Sequence, residues 1–419
     1  MLRFVSPAGT SVALREFFSA TRTLLRPEAE EQKYLSSFAG IWNVSHAFGL
    51  SSGRAAFWLI LKTLHRLRPD RDVVAIPAYT CFSVAAAIVR AGLKIHPVEV
   101  DPRTLDFDYA RLAEVPGAKL LCIVTSNLFG IVNDGARICD IARHKGAFVV
   151  DDAAQALGAS RNGQFAGTIG DVGFCSMGRG KPLAGKGGLI LTNSQTIAEG
   201  LGDEILRIPR SSWSHDSRLF LEVLAGSLLL NPRLYWIPRG LPFLKLGVTE
   251  FNPYFSIARL PAFSLALLPH TIGRLAELNE TRNRNARKLI HGIEGSSSFF
   301  VPGGGDKFQA SYLRLPVLAK SGELRNRAIT KLNRAGIGAS PFYPSAICDI
   351  PAVAQYLATP DFHRPCAEEL SRRLLTLPTH PLVGERDVQR MLEVLGGMEA
   401  AEPAPDRSPV LLSRPSKVC

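Results

Sequence analysis

Two lysines lie in a glycine-rich stretch of the sequence, residues 170–192, which reads GDVGFCSMGRGKPLAGKGGLILT. Lys181 and Lys186 point to two different chemistries. A glycine-rich loop that ends in lysine can bind the phosphates of a nucleotide through its backbone amides. A lysine amine can instead form a Schiff base with a carbonyl group. The neighbouring residues provide the evidence for choosing between a nucleotide-phosphate loop and a Schiff-base lysine.

The nucleotide alternative depends on Lys186. The run GKPLAGKG, residues 180–187, matches most of the P-loop pattern GxxxxGK, but Gly187 stands where a serine or threonine has to hold magnesium. A P-loop must also open a helix, whose N-terminal amides bind the phosphate. The next residues, GLILTN, are glycine and β-formers and predict a strand. The pattern argues against a P-loop, and we expect Lys186 to face solvent or to contact a phosphate or the substrate.

A better phosphate site is predicted upstream. The sequence GLSSGRAAFWLILKTL, residues 49–64, places small polar residues directly before an amphipathic helix. The backbone amides of Ser51, Ser52 and Gly53 would point at an anion, aided by the helix dipole. Taken alone, Ser52 followed by Gly53 is better explained as the N-cap of a structural helix.

Three motifs together supply what a pyridine-type aldehyde cofactor needs. A carboxylate must pair with the ring nitrogen, so that the ring accepts electrons. A lysine must form the Schiff base with the aldehyde and later move protons. A helix N-terminus must hold the phosphate. The chain carries these groups in order as SSGR (51–54), DDAAQ (151–155) and GRGK (178–181). This order favours Lys181 as the reactive amine.

The elements around these motifs indicate an α/β fold. Apolar strands alternate with helices between residues 72 and 152, which predicts a mostly parallel sheet covered on both faces. In such a sheet the ligand lies at the carboxyl ends of the strands, where Asp151 and Asp152 fall. The predicted strands are 72–78, 93–101, 119–126 and 147–152, and the predicted helices are 83–92 and 134–146.

Composition sets the broad class of the protein. The 419 residues are 46% hydrophobic and 21% charged, which is typical of a globular chain with two or more domains. The net charge of +12 is dispersed, so it supports an anionic substrate only weakly, and we expect no nucleic-acid partner. The seven cysteines contain no CxxC pair, which argues against a disulfide framework or a metal site and fits a reducing cytoplasm. No signal peptide or membrane-spanning run is recognisable.

Four segments are expected along the chain. They are an N-terminal segment (1–35), a large cofactor-binding domain (36–262), a smaller C-terminal α/β domain (263–399) and a disordered tail (400–419). Within the large domain, residues 211–256 are apolar, with several prolines and few acids. This atypical insertion has two explanations. It is either a lid or arm packed across a dimer, which we favour, or a surface that docks on a membrane or a lipid-linked substrate.

A series of ordered motifs carries a family resemblance: SSGRAAF (51–57), IPAYT (76–80), VTSNLFGIVND (124–134), VVDDAAQALGA (149–159), residues 170–192 and LSRRLLTLPTHPLV (370–383). The chain resembles the DegT/DnrJ/EryC1/StrS sugar aminotransferases, pyridoxal-phosphate enzymes of fold type I, from about Ser36 to Leu395. The resemblance implies a large domain with a mostly parallel seven-stranded sheet flanked by helices, and a smaller C-terminal α/β domain. It also implies a homodimer with active sites at the subunit interface.

The resemblance implies a role for each motif residue. Lys181 would be the Schiff-base lysine and Asp152 the partner of the pyridinium nitrogen, so both would be catalytic. Gln155 would lie near the ring hydroxyl. The remaining ligands of pyridoxal 5'-phosphate would be Ser52, Gly53, Arg54, Phe82 and Ser176. At Arg54 the family has a threonine, so a hydroxyl is lost but the backbone amide remains.

Four positions depart from the family pattern. Cys81 stands where the family stacks an aromatic ring on its cofactor, so either Phe82 takes over or a thiol packs against the ring. Asn127 and Cys348 each replace a histidine, and Ile257 replaces an asparagine that the family supplies across the dimer. These changes concern mainly the substrate-facing residues. The resemblance therefore supports the cofactor chemistry more than any particular sugar pocket.

The resemblance implies an aminotransferase that moves an amino group, with glutamate as donor, to a nucleotide-linked keto sugar in polysaccharide or glycoconjugate biosynthesis. Two alternatives stay open. One is sugar deoxygenation on the same scaffold, although such family members have histidine in place of Lys181. The other is a non-catalytic homologue in a membrane-associated pathway, which the altered positions and the insertion would fit. The expected location is the cytoplasm, with peripheral contact at the membrane as a further option.

Overall fold

The structure is a computed structural model that describes residues 3–23, 27–241, 249–303, 308–360 and 362–399, so the predicted tail lies outside the described residues. Its strands are β1 (His46–Leu50), β2 (Val73–Pro77), β3 (Lys94–Val98), β4 (Leu120–Val124), β5 (Phe148–Asp152), β6 (Ser160–Arg161), β7 (Gln164–Phe165), β8 (Val172–Met177), β9 (Gly187–Thr192), β10 (Phe299–Phe300), β11 (Phe308–Gln309), β12 (Leu315–Ala319) and β13 (Leu374–Leu377). Its helices are α1 (Leu14–Thr23), α2 (Pro27–Ile41), α3 (Gly53–Leu67), α4 (Phe82–Arg90), α5 (Tyr109–Glu114), α6 (Gly135–Lys145), α7 (Gln195–Ile205), α8 (Trp213–Leu229), α9 (Trp236–Arg239), α10 (Ala262–Gly273), α11 (Leu275–Ile293), α12 (Gly322–Arg334), α13 (Pro365–Arg373) and α14 (Glu385–Glu399).

Seven strands form the main sheet in the order β1-β9-β8-β5-β4-β2-β3. The pairs from β8 to β3 are parallel, and only β9 runs antiparallel to its neighbours, β8 and β1. All residues of β4 and β9 are buried, as expected where helices cover both faces of a sheet. The predicted mostly parallel seven-stranded sheet is confirmed.

The predicted α/β alternation is also confirmed in its parts. Each of the four predicted strands contains an observed one, β2 to β5, and the two predicted helices correspond to α4 and α6. Helix α6 begins at an Asp134 N-cap and ends at Gly146, whose φ of 61° suits glycine. The glycine-rich stretch leads into β9 rather than a helix. A P-loop at Lys186 is therefore excluded.

The sheet brings the three motifs to one edge. Asp152 is the last residue of β5, and the turn with Lys181 follows the end of β8, the neighbouring parallel strand. Strand β1 also runs parallel to β8, because β9 between them is antiparallel to both. Helix α3 begins just after β1. Residues 51–54, 151–155 and 178–181 therefore meet at the carboxyl ends of the strands.

The C-terminal part builds a second layer. Strands β10, β12 and β13 form an antiparallel sheet, on which helices α12 and α13 pack, and α14 packs against α11 and α12. Helix α10 packs instead against α1, α2 and α8. The predicted domain boundary at 262–263 stays a prediction.

The first residues of the chain reach across to this C-terminal part. Val5 forms a β-bridge with Ile337, and Arg3 pairs with the buried carboxylate of Asp387.

The insertion contributes α8 and α9. Within the described ranges, none of the helices combines the length and apolar character that a membrane crossing requires.

Candidate active site

A cavity of about 220 Å³ lies where the three motifs meet. Its walls come from the α3 N-terminus, the α4 N-terminus and the residues that follow β4, β5 and β8. The lining residues are Ser52, Gly53, Arg54, Phe57, Cys81, Ser83, Val84, Ser126, Asn127, Leu128, Asp152, Ala154, Gln155, Phe174, Ser176 and Lys181. Seven of the eight candidate residues from the sequence are in this set; Phe82 is not.

One end of the cavity is an anion cradle. Ser52 caps α3, since its Oγ accepts a hydrogen bond from the Ala55 amide at 3.1 Å. The first bond to the cap carbonyl comes from the Ala56 amide, so the Gly53 and Arg54 amides have no acceptor within the helix. A Cβ on Gly53 would lie 3.0 Å from both Cβ and Oγ of Ser176. The N-cap explanation and the phosphate explanation are therefore compatible at this position.

The close approach at Gly53 leads to a prediction. Gly53→Ala should weaken binding of pyridoxal 5'-phosphate by about tenfold, because the methyl group displaces Ser176 from the cradle and costs about 1.4 kcal/mol of binding free energy. Titration of the cofactor followed by absorbance measures this loss. Gly202→Ala is the matched control, since a Cβ there meets nothing within 4 Å. Equal affinities of the two variants would contradict the prediction.

The two aspartates that end β5 have different environments. Asp151 is fully buried and accepts hydrogen bonds from Thr125, Asn127 and the amides of Gly167 and Ile169. Asp152 faces the cavity, because successive residues of a strand point to opposite sides. Asp151 is thus a structural carboxylate, and Asp152 is the one available to a ligand.

Burial controls the ionisation of Asp152. It raises the pKa of the carboxyl group to about 6, while a hydrogen bond from the Ala154 amide and the positive charge of Lys181 act in the opposite direction. The amide lies 2.8 Å from Oδ1. A cationic group placed against this carboxylate would lower its pKa and offset the unfavourable burial of its charge.

Lys181 is held by a turn rich in glycine. Its amide donates to the Gly178 carbonyl at 3.1 Å, and its carbonyl accepts a hydrogen bond from Thr10. Gly180 has a φ of 67°, which glycine adopts without strain. The half-buried lysine side chain lines the cavity. Lys186, in contrast, is exposed and outside the cavity wall, which agrees with its expected solvent-facing position.

Gln155 joins the cavity to the C-terminal part. Its Oε1 accepts from the Phe129 amide at 3.1 Å, and its Nε2 donates to the Tyr343 hydroxyl at 3.0 Å. The Tyr343 amide donates to the hydroxyl of Tyr79. Tyr343 was missed in the sequence, where the only signal is its place in the turn GIGASPFYP. Its contact with Gln155 spans a large sequence separation and appears only after folding.

The cofactor role expected of Phe82 is not what the geometry supports. Phe82 is buried in the core, and its ring stacks on Tyr343 with centroids 6.3 Å apart. Cys81, at the N-cap of α4, lines the cavity instead. Phe82 is the first residue of α4 and points into the core, whereas Cys81 faces the cavity. The alternative with a thiol at the cavity wall therefore agrees with the structure.

The other departures from the family pattern have separate explanations. Asn127 lines the cavity, but its amide is engaged, since Nδ2 donates to Asp151 Oδ1 and to the Asp152 carbonyl while Oδ1 accepts from the Asn133 amide. It therefore positions the end of β5. Ile257 and Cys348 pack against the core and do not line the cavity.

The residues present fit pyridoxal 5'-phosphate. The cradle at Gly53 leaves no room for a side chain and offers unbonded amides to a phosphate. A buried carboxylate lies within reach of the positive charge of a lysine in the same cavity. When bound there, the cofactor would be held by the α3 N-terminus, Asp152 and Lys181.

Comparison with known proteins agrees with this chemistry. The family model described as the DegT/DnrJ/EryC1/StrS aminotransferase family matches residues 20–396. The chain is 25% identical over 361 residues to a UDP-N-acetyl-3-dehydro-α-D-glucosamine 3-aminotransferase of Acidithiobacillus ferrooxidans, covering 85% of each protein. It is 27% identical over 366 residues to GDP-perosamine synthase of Caulobacter vibrioides, covering 87% of this chain and 88% of that protein.

A solved structure shares the fold. Escherichia coli GDP-4-keto-6-deoxy-D-mannose-3-dehydratase, determined with bound hydrated pyridoxal phosphate, superposes with a TM-score of 0.75 at 20% sequence identity. The match covers 94% of this chain and all of that one. At this identity it supports the fold-type-I architecture alone. The family match spans nearly the whole described chain and includes all three motifs of the cavity. The protein belongs to the DegT/DnrJ/EryC1/StrS aminotransferase family and is an aminotransferase that depends on pyridoxal 5'-phosphate.

Proposed function

We propose that this enzyme transfers an amino group from glutamate to a nucleotide-linked keto sugar, in polysaccharide or glycoconjugate biosynthesis. The observation that carries the proposal is the meeting of Lys181, Asp152 and the α3 N-terminus in one cavity. The names of the two relatives described above refer to nucleotide-linked or amino sugars, which supports this class of acceptor.

Each residue of the cavity has a distinct task in this reaction. Bound pyridoxal 5'-phosphate supplies an aldehyde for covalent attachment and a ring that accepts electrons. The Lys181 amine would hold the cofactor and, once free, would take a proton from the donor's α-carbon as general base and give it up again as general acid. Asp152 keeps the ring nitrogen protonated. Ser176 and the amides of Gly53 and Arg54 hold the phosphate.

The remaining cavity residues orient these groups. Gln155 would bond the ring hydroxyl, and its side chain is held by the Phe129 amide and the Tyr343 hydroxyl. Ser52 secures the first turn of α3. Cys81, rather than Phe82, packs against the face of the ring.

A panel of keto-sugar nucleotides, each offered with glutamate and with other amino donors, tests the proposal by product mass. We expect an amino-sugar nucleotide and 2-oxoglutarate from at least one combination. A product that has lost a hydroxyl group without gaining nitrogen would support deoxygenation instead. Failure of every acceptor, with cofactor bound and reduced onto Lys181, would overturn the choice of acceptor.

We further propose that the insertion packs across a homodimer in the cytoplasm. Helix α8 buries Leu219 against Phe17 and Phe263, yet Leu221 remains 63% exposed and Leu228 49% exposed. Exposed leucines on a helix that already covers the core indicate a second apolar contact. A membrane surface is the other candidate occupant, to which Trp213 and the dispersed positive charge would contribute.

The double variant Leu221→Ser/Leu228→Ser tests this arm. We expect the dimer dissociation constant to rise at least about tenfold, because each buried leucine contributes about 1.5–3 kcal/mol. Sedimentation velocity over a concentration series measures the change. Leu206→Ser, at an exposed position outside α8, is the control. An unchanged dimer together with lost binding to anionic phospholipid vesicles would support the membrane explanation and overturn the arm.

A further inference from the structure

Three arginines gather around Tyr235 beside the turn that carries Lys181. Arg179 belongs to that turn, Arg239 ends α9 in the insertion, and Arg314 lies directly before β12. Burial raises the pKa of the Tyr235 hydroxyl, and the positive charges of all three arginines oppose this rise. Segments far apart in the sequence therefore bring three cationic groups to one place.

This arginine cluster borders the reactive lysine. Arg179 precedes Lys181 by two residues. A Cβ built on Gly180, the residue between them, would lie 3.7 Å from Nη2 of Arg314. Arg314 also acts electrostatically on Tyr343, the tyrosine that bonds Gln155 at the cavity. The cluster thus lies against the Lys181 turn, on the side formed by the insertion and the C-terminal part.

Aromatic rings hold two of the three guanidinium groups in place. Arg239 lies over the ring of Phe4 with its Cζ 4.0 Å from the centroid, and Phe4 stacks on Tyr235. Arg314 lies 5.7 Å from the centroid of Phe342, and its Nη1 donates to Ser340 Oγ at 3.3 Å. Contacts through the flat face of a guanidinium leave most of its N–H groups available to another acceptor.

Among the described residues, no carboxylate pairs with the arginines of this cluster. In the part of the chain that the structure describes, no ion pair includes Arg179, Arg239 or Arg314. Other arginines show the contrast, since Arg161 pairs with Asp134 and Arg274 with Glu16. Like charges brought together without a counter-charge repel each other, most strongly where water is partly excluded. An anionic ligand would remove this repulsion.

We propose that Arg179, Arg239 and Arg314 form a site for an oxyanion of the substrate, next to the reacting amine. The inference rests on the proposed function for the identity of the oxyanion. It is either the phosphate group of the nucleotide-linked acceptor or a carboxylate of the amino donor. Arginine suits both, because its fork of N–H donors matches phosphate and carboxylate oxygens in pairs. The proposal also assigns a task to the insertion, which supplies Arg239 and Tyr235.

Calorimetric titration of the cofactor-loaded protein tests the site, with inorganic pyrophosphate and glutarate as separate probes at constant ionic strength. For Arg179→Gln/Arg239→Gln we expect the dissociation constant of the bound probe to rise at least about tenfold, the loss of two charge-assisted contacts. Arg314→Gln should behave similarly. Arg233→Gln is the matched control, an exposed arginine of the same insertion outside the cluster, and should change the constant less than about twofold.

The results distinguish the two sources of the oxyanion, and they distinguish failure of the arginine site from failure of the cofactor chemistry. Weakened pyrophosphate binding alone supports the acceptor phosphate, and weakened glutarate binding alone supports the donor carboxylate. Equal binding in the wild type and the double variant overturns the site, as does an equal loss in Arg233→Gln or the absence of binding of both probes. The near-visible absorbance of the bound cofactor, recorded for every sample, shows separately whether the proposed cofactor chemistry holds.

Discussion

Lys181→Ala is expected to abolish transamination and to remove the near-visible absorbance of the lysine-bound cofactor. In the proposed reaction the lysine amine is both the covalent anchor and the group that moves the proton, so activity should fall by at least about a thousandfold. The fold should persist, since the half-buried side chain lies at a cavity wall and the turn is held by backbone bonds. Steady-state rates, the absorption spectrum and circular dichroism measure the three effects.

Lys186→Ala is the matched control for this variant. Lys186 is exposed in the same stretch, and within the described ranges its backbone alone is hydrogen-bonded, to Ser264. Its rate and spectrum should equal those of the wild type. Near wild-type turnover by Lys181→Ala would show that the assignment is wrong. If the wild type itself has no cofactor band and borohydride places no label on Lys181, the non-catalytic alternative is supported instead.

Asp152→Asn is expected to lower the catalytic rate by about 100- to 1000-fold while the cofactor remains bound. The amide has the shape of the carboxylate but not its charge, so it cannot keep the ring nitrogen protonated as the reaction develops charge there. The rate with glutamate in single-turnover experiments, together with cofactor affinity, measures this effect. A variant with wild-type rates would refute the role of Asp152.

Asp151→Asn separates a catalytic carboxylate from a structural one. Asp151 accepts four hydrogen bonds, two at each carboxylate oxygen. In asparagine an NH₂ group replaces one of these oxygens, and it cannot accept the two hydrogen bonds made there. We expect a loss of about 2 kcal/mol or more in the free energy of unfolding. Urea unfolding should show this loss in Asp151→Asn but not in Asp152→Asn.

Asp152 also predicts a pH dependence of stability in the cofactor-free protein. Burial raises its pKa from 3.8 to about 6, so the folded state binds this proton more tightly than the unfolded chain does. The free energy of unfolding therefore falls as pH rises through this window and is constant above it. The free energy of unfolding of the wild type, minus that of Asp152→Asn, should therefore fall by about 2–3 kcal/mol as pH rises across the window. Urea unfolding at a series of pH values, without and with cofactor, would show whether a bound pyridinium removes the slope.

The sheet was predictable because its signals are local. Most of the parallel strands are buried on both faces and read as apolar runs, and glycine or a capping residue marks where an adjoining helix ends or begins. The carboxyl ends of such strands meet at one edge, so Asp152 and the Lys181 turn could be assigned to one site before any contact was known.

Side-chain direction within the site was less predictable. Asp151 and Asp152 are identical in type, and only the pleat of β5 and its pairing with β8 decide which one faces the cavity. Cys81 and Phe82 pose the same problem at the start of α4, where a shift of one position decides between cavity and core. A one-residue change of phase reverses the direction of a side chain on a strand and turns it by about 100° on a helix.

The α/β class and the order of the three cofactor motifs were predictable from the sequence, as was the preference for Lys181 over Lys186, because these depend on residue types at short spacing. The contact of Tyr343 with Gln155, the place of Cys81 at the cavity and the position of three arginines beside the Lys181 turn appear only in the folded chain. Such contacts join residues that are distant along the chain. No local pattern encodes them, because they arise from the packing of the insertion and the C-terminal part onto the sheet.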